Sequence, residues 1–130
     1  MRRFIHAKLH GLAVTEAVLN YHGSATIDTA LLEAADIAPY EQVLISNLNN
    51  GARWETYVLP GGPGVFAING ATARLGAAGD RCIVMAFQDS ERFEGARVIV
   101  TNEHNIPVDE FRYPLDEVPA GFAPPAAARL

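Results

Sequence analysis

The chain is poor in cysteine, in basic residues and in long apolar runs. Among its 130 residues Cys82 is the single cysteine. No internal disulfide can form, and a reducing, cytoplasmic setting is expected. Ten Lys and Arg stand against fifteen Asp and Glu, a net charge of -5 with histidine neutral. The longest basic run is Arg2-Arg3, which argues against nucleic acid as a partner, because phosphate-backbone binding draws on clustered cations. No apolar stretch approaches the roughly 18 residues of a membrane-spanning helix, so no membrane partner is expected. The N-terminus alternates polar and apolar residues and lacks the apolar core of a signal peptide. The four histidines, His6, His10, His22 and His104, show no ligand spacing with carboxylates, so no metal site is expected.

What is present is a globular composition, 49% hydrophobic and 19% charged, in a length that suits one domain and one core. Ile5, Ala7 and Leu9 alternate with His6, Lys8 and His10, the period of a half-buried strand with Lys8 and His10 on one face. A second short strand is expected near Leu12-Ala13-Val14. Ser24 to Ile27 reads as extended, and Asp28 as the N-cap of a short helix whose inner face is Leu31, Leu32 and Ala35. Val43 to Leu48 and Arg53 to Leu59 read as strands joined through Asn49-Asn50-Gly51, since Asn-Gly suits the positive φ of a tight hairpin turn. On the second of them Arg53, Glu55 and Tyr57 share one face, and Trp54, Thr56 and Val58 the other.

Pro60 to Gly64 is a loop by composition. Val65 to Ile68 is a strand closed by Asn69-Gly70, and Ala71 to Leu75 a single helical turn. Strands over Cys82 to Phe87 and Ala96 to Thr101 follow, then a turn at 102–105 and an edge strand from Ile106 to Glu110, where Pro107 is tolerated. Many short strands, Gly and Pro turns and little helix predict an all-β fold with short helices, a small closed barrel over residues 1–112. The Pro- and Ala-rich tail, 113–130, is expected to be loosely ordered or to pack on a neighbouring subunit. Cys82, in an apolar run, reads as a small buried hydrophobe.

The dipeptide Gly23-Ser24, within Tyr21-His22-Gly23-Ser24-Ala25-Thr26-Ile27-Asp28, is by itself an ordinary turn. Lys8-Leu9-His10 stands upstream of it; Arg53-Trp54-Glu55-Thr56-Tyr57 and Ile68-Asn69-Gly70-Ala71-Thr72 stand downstream. In this order and spacing the pieces, over roughly residues 1 to 110, resemble the pyruvoyl-dependent aspartate 1-decarboxylases. The resemblance implies a double-psi β-barrel, assembled as a homotetramer with active sites between subunits. It also implies self-cleavage between Gly23 and Ser24 into a β chain (1–23) and an α chain (24–130). Ser24 Oγ attacks the Gly23 carbonyl, the amide becomes an ester, and elimination across Cα–Cβ of Ser24 releases residues 1–23. The dehydroalanine left behind hydrolyses to ammonia and a covalent pyruvoyl cofactor. Glycine at 23 is expected to help because it has no Cβ to block the approach or forbid unusual backbone angles.

The resemblance assigns roles residue by residue. Ser24 becomes the pyruvoyl group and the Schiff-base carrier for an amino-acid substrate, acting as the electron sink for decarboxylation. Tyr57 matches the proton donor; a phenol titrates near pH ~10 in water and has a proton to give at neutral pH. Arg53, with Lys8 nearby, is assigned to a substrate carboxylate, for which the planar guanidinium fork is suited. Strong pairing of the departing carboxylate would slow its loss, so the cations are expected to hold the one that stays. That favours L-aspartate, with β-alanine, a pantothenate precursor, as product. Thr56 matches a threonine linked to substrate contact and self-cleavage, and a local bulge is expected to bring it to the Tyr57 side. Gly70, Ala71 and Thr72 match a segment whose amides face the substrate, and Asn69 an asparagine near the cleavage site. His10 is a proton shuttle, a polar partner for Tyr57 or Lys8, or a plain strand histidine.

The sequence departs from the pattern at His22, where Glu or a small apolar residue is usual, at Thr72, where Ala is usual, and in the short Pro60–Gly64 loop. Two alternatives stand beside the aspartate reading. One is the same chemistry on another amino acid; the other is an uncleaved barrel that binds a small molecule or a partner protein. A maturation helper protein is the one further partner this chemistry admits.

Overall fold

The computed structural model describes residues 1–115. The fold is all-β, as expected. Nine strands form one hydrogen-bonded system: β1 (Arg2–Ala13), β2 (Glu16–Val18), β3 (Ser24–Asp28), β4 (Gln42–Asn47), β5 (Arg53–Gly61), β6 (Phe66–Asn69), β7 (Arg81–Ser90), β8 (Ala96–Thr101) and β9 (Pro107–Tyr113). Their order is β2-β6-β3-β5-β4-β7-β1-β8-β9. One short helix, α1 (Thr29–Ala35), and a 3₁₀ turn over Gly70–Leu75 complete the described residues. No helix among them is long and apolar enough to cross a membrane. The expected tail lies, from residue 116 on, outside the described residues; β9 carries the ordered chain one residue past the expected boundary at 112.

Alternation makes the core. Ala7 and Leu9 of β1, Ala25 and Ile27 of β3, Val43 and Ile45 of β4 and Val84 and Ala86 of β7 all point inward and are buried. Each fully buried Leu, Ile or Val contributes about 1.5–3 kcal/mol. Leu31, Leu32 and Ala35 of α1 join this cluster. Asp28 caps α1 by accepting from Ala30 N at 2.8 Å, and its second oxygen accepts from Gly64 N at 2.9 Å. One carboxylate thus starts the helix and anchors the loop before β6.

Several boundaries differ from the sequence reading. Leu12–Ala13 is not a separate strand; β1 runs through it with register shifts at Ile5/Ala7 and His10/Leu12. At the second shift Gly11 takes φ +95°, and a Cβ there would lie 2.8 Å from an Arg81 nitrogen and 2.9 Å from the Thr101 carbonyl. Arg81 donates to both the Gly11 and Thr101 carbonyls, so one side chain replaces the ladder bonds lost at the bulge. β5 continues through Pro60-Gly61, inside the expected loop, because these residues pair in parallel with Ile27 and Asp28. β2 was not foreseen. It is three residues long, and its pairing partner, β6, lies some fifty residues further along the chain.

Candidate active site

The site is built where three strands lie side by side. In β3–β6, Ser24 pairs with Asn69 and Thr26 with Ala67, antiparallel. In β3–β5, Ala25 pairs with Val58 and Thr26 with Leu59, parallel; one residue earlier in the same register sets Ser24 level with Tyr57. Ala25 and Val58 point into the core. Strand alternation therefore turns Ser24, Thr26, Asn69 and Tyr57 to the opposite face.

On that face Ser24 is fully buried and Asn69 nearly so, at 0% and 2% exposure. Ser24 Oγ donates to the His22 carbonyl at 3.1 Å. It accepts from Asn69 Nδ2 at 3.0 Å, and the same nitrogen donates to Thr26 Oγ1 at 3.0 Å. Gly23, by contrast, is exposed. The Gly23–Ser24 bond thus joins a solvent-facing residue to a buried hydroxyl held by a donor and an acceptor.

The glycine that the fold requires here is Gly70. It has φ +71°, and a Cβ on it would lie 2.7 Å from Gly23 Cα and 2.9 Å from Gly23 N. A Cβ on Gly23 itself meets nothing within 4 Å. The expectation that Gly23 is needed for its backbone angles is therefore corrected for the resting chain: its φ is not in the left-handed region, and space is available.

The remaining expected residues divide. Tyr57 is half-buried and its ring stacks on Tyr40, with centroids 6.2 Å apart and planes at 19°. Arg53 is exposed at the start of β5, about 13 Å along the strand from the level of Tyr57 at ~3.3 Å per residue. Lys8 is half-buried on β1, which β5, β4 and β7 separate from β3 in the sheet order; its ammonium lies 6.0 Å from the centre of the Tyr113 ring. Neither Lys8 nor Arg53 is among the hydrogen-bond partners of the Ser24, Thr26 and Asn69 side chains. The bulge expected at Thr56 is absent, since Gln42–Tyr57 and Val43–Thr56 pair in unbroken register. Thr56 accordingly stays on the face opposite Tyr57.

Ala71 is exposed and Thr72 half-buried in the 3₁₀ turn. The Thr72 hydroxyl donates to the Asn69 carbonyl at 2.7 Å, so its extra polar group is used within the turn. His10 shares the Lys8 face of β1. Its pKa is lowered by burial, then by the charges of Lys8 and Arg81. Cys82 is buried, and burial, with Asp80 adding to it, pushes its thiol up to about 12; it is no nucleophile at neutral pH.

A cavity of about 290 Å³ opens beside Asn69 and Thr26, bounded also by Glu16, Val18, Tyr21 and Ala67. Of these, only Glu16 is charged, and it carries the sign opposite to a carboxylate anchor. Sequence reasoning missed Thr26 and Glu16. Strand periodicity alone places Thr26 on the Ser24 face, but its tie to Asn69 needs the cross-strand register.

The aspartate decarboxylase family model matches residues 1–108. An aspartate 1-decarboxylase of Syntrophobacter fumaroxidans is 45% identical over 115 residues, covering 84% of this chain and 93% of that protein. One of Thermosipho africanus is 48% identical over 105 residues, covering 78% and 88%. One of Listeria monocytogenes is 48% identical over 110 residues, covering 80% and 87%.

Proposed function

Because the chain belongs to the aspartate decarboxylase family, we propose that it cuts itself between Gly23 and Ser24 and then decarboxylates L-aspartate at Cα with the pyruvoyl group so formed. It is an enzyme, a carboxy-lyase with the family's double-psi β-barrel, and its products are CO2 and β-alanine for pantothenate synthesis. The observation that carries the self-processing reading is the buried Ser24 hydroxyl, fixed between Asn69 Nδ2 and the His22 carbonyl, next to an exposed Gly23.

Ser24 Oγ adds to the Gly23 carbonyl carbon, its proton passes to Ser24 N, and the C–N bond breaks, giving an ester and a free amine. Loss of the Ser24 Cα proton then expels the Gly23 carboxylate, and one water releases ammonia to leave a ketone at the new N-terminus. The exposure of Gly23 gives that water access. Once in place, the pyruvoyl group supplies a sink for the electrons released as the α-carboxylate departs. The protein's part is positional. Tyr57 stands on the Ser24 face, level with it, and its phenol returns a proton to the substrate Cα. Arg53 and Lys8 hold the carboxylate that stays. Neither cation is a hydrogen-bond partner of Ser24 within one chain, so a second copy brings them, and the working form is a homotetramer with sites between subunits. The buried, unreactive Cys82 thiol suits a cytoplasmic protein.

The test is intact mass followed by turnover. The purified chain, with nothing added, resolves into two fragments split after Gly23. The larger one reacts with a hydrazine and releases CO2 from aspartate in preference to glutamate or a neutral amino acid. A chain that stays whole and carbonyl-free after prolonged incubation overturns the self-processing reading. Cleavage only on adding cell extract assigns the step to a helper protein.

A further inference from the structure

We propose that Thr26 is a positioning residue for self-cleavage, acting through Asn69. The inference rests on the reading of Ser24 as the processed residue and adds to it the group that aims its nucleophile. An asparagine amide has two N–H bonds and one carbonyl oxygen. Here both N–H bonds are used on one strand face, one toward Ser24 Oγ and one toward Thr26 Oγ1, each at 3.0 Å. The assignment of nitrogen over oxygen follows from the network. Ser24 spends its only hydroxyl proton on the His22 carbonyl, so it can only accept from Asn69, and the group facing both hydroxyls is the NH2.

The register explains why this arrangement is stiff. Asn69 lies directly opposite Ser24 across β3–β6, and Thr26 is two residues further along the same strand, hence on the same face. Asn69 is buried, so an N–H without a partner is costly there and the amide turns to find one. Thr26 therefore fixes the amide plane. The fixed amide in turn fixes Ser24 Oγ, with its proton held toward the His22 carbonyl and a lone pair left for the Gly23 carbonyl carbon. As the proton passes to the departing Ser24 nitrogen and charge builds on Oγ, the Asn69 N–H becomes a donor to a charged oxygen, the stronger kind of hydrogen bond.

Shape and hydrogen bonding can be separated at this position. The Thr26 methyl lies against Gly61, 2.7 Å from where a Cβ on that glycine would stand. Thr26→Val keeps the branched shape and removes the oxygen; Thr26→Ser keeps the oxygen and removes the methyl. The three chains are pulse-labelled during synthesis and the split after Gly23 is followed by intact mass, with thermal unfolding of each uncleaved chain recorded on a Ser24→Ala background. Thr26→Val is expected to cleave roughly tenfold more slowly, the effect of one lost aiming hydrogen bond. Thr26→Ser is expected to cleave at the wild-type rate, and a Thr26→Val rate equal to wild type overturns the inference. So does a Thr26→Ser rate as slow as Thr26→Val, because the methyl is then what matters. A wild-type chain that never cleaves overturns the parent reading and this inference with it. Wild-type cleavage with an unaffected Thr26→Val overturns this inference alone.

Discussion

Ser24 and Arg53 stand at opposite extremes of the same small barrel. Ser24 is fully buried, with both hydroxyl partners supplied by its own chain. Arg53 is exposed at the start of β5, and the Lys8 ammonium lies 6.0 Å from the centre of the Tyr113 ring. The hydrogen-bond partners of the Ser24 hydroxyl lie within one chain, whereas the cations expected to bind substrate are not among them. Under the proposed function, self-processing is a reaction that one chain prepares alone, and decarboxylation one that calls on a second copy. The charge of the cavity beside Asn69 agrees, since its charged lining residue is Glu16.

The largest expected effect breaks both halves at once. Ser24→Ala removes the attacking oxygen, so cleavage and turnover both fall to zero by intact mass and CO2 release. Persistent activity in that variant ends the pyruvoyl mechanism. Tyr57→Phe separates the halves. It keeps the ring on Tyr40 and removes the proton, so turnover of the cleaved enzyme drops about 10²–10³-fold while the cleavage rate is unchanged. Lost cleavage would move Tyr57 to the maturation step.

The two glycines of the cleavage loop sharpen the comparison on the stability side. Gly70→Ala forces a Cβ against Gly23 backbone at a positive φ, where nothing flexible can yield. A loss of about 2 kcal/mol or more, read from denaturant midpoints on a Ser24→Ala background, is expected. Gly23→Ala on the same background is expected to stay within about 0.5 kcal/mol of its parent. Equal effects at the two positions would mean that the loop does not rest on Gly70 in solution. Smaller again is Arg53→Gln. Removing an exposed cation leaves folding and cleavage intact and raises KM for aspartate about tenfold. Mixing Arg53→Gln with Ser24→Ala subunits should restore some turnover at low KM if the two residues meet across an interface.

Much of this was legible before the structure. The alternation around Ile5, the Asn49-Asn50-Gly51 turn and the Asp28 cap are local signals, and each element formed where it was read. The failures share one cause, because they depend on pairing between distant segments. β2 exists only because Glu16–Val18 lies parallel to β6. The continuity of β1 through Gly11 depends on Arg81, seventy residues away. Asn105, expected only as part of a turn, is buried and exchanges two hydrogen bonds with Ala13. The site followed the same rule. Gly23-Ser24, Asn69 and Tyr57 were singled out through the motifs that carry the family resemblance. Thr26 acquires its part only from the register of β3 on β6, and the bulge expected at Thr56 failed because β4 and β5 pair without a break.

The smallest expected effect belongs to His10, on the Lys8 side of the barrel. Burial, then Lys8, then Arg81 lower its pKa in the folded chain. The unfolded chain takes up this proton near pH ~6.5, and the folded chain takes it up only at lower pH. Between those two points the unfolded state binds more protons, so stability falls as pH falls. Above about pH 7 both states are neutral at this residue and the contribution is flat. Melting temperatures of the Ser24→Ala chain, measured from about pH 8 down to pH 5.5, should decline on the acid side. His10→Gln should make that decline shallower and leave the alkaline plateau unchanged in shape. An identical acid slope in the variant would show that other groups carry it and that Lys8 and Arg81 do not disfavour a charge at this position. Because Lys8 contributes to the shift, Lys8→Met should also flatten the slope, by less than His10→Gln does.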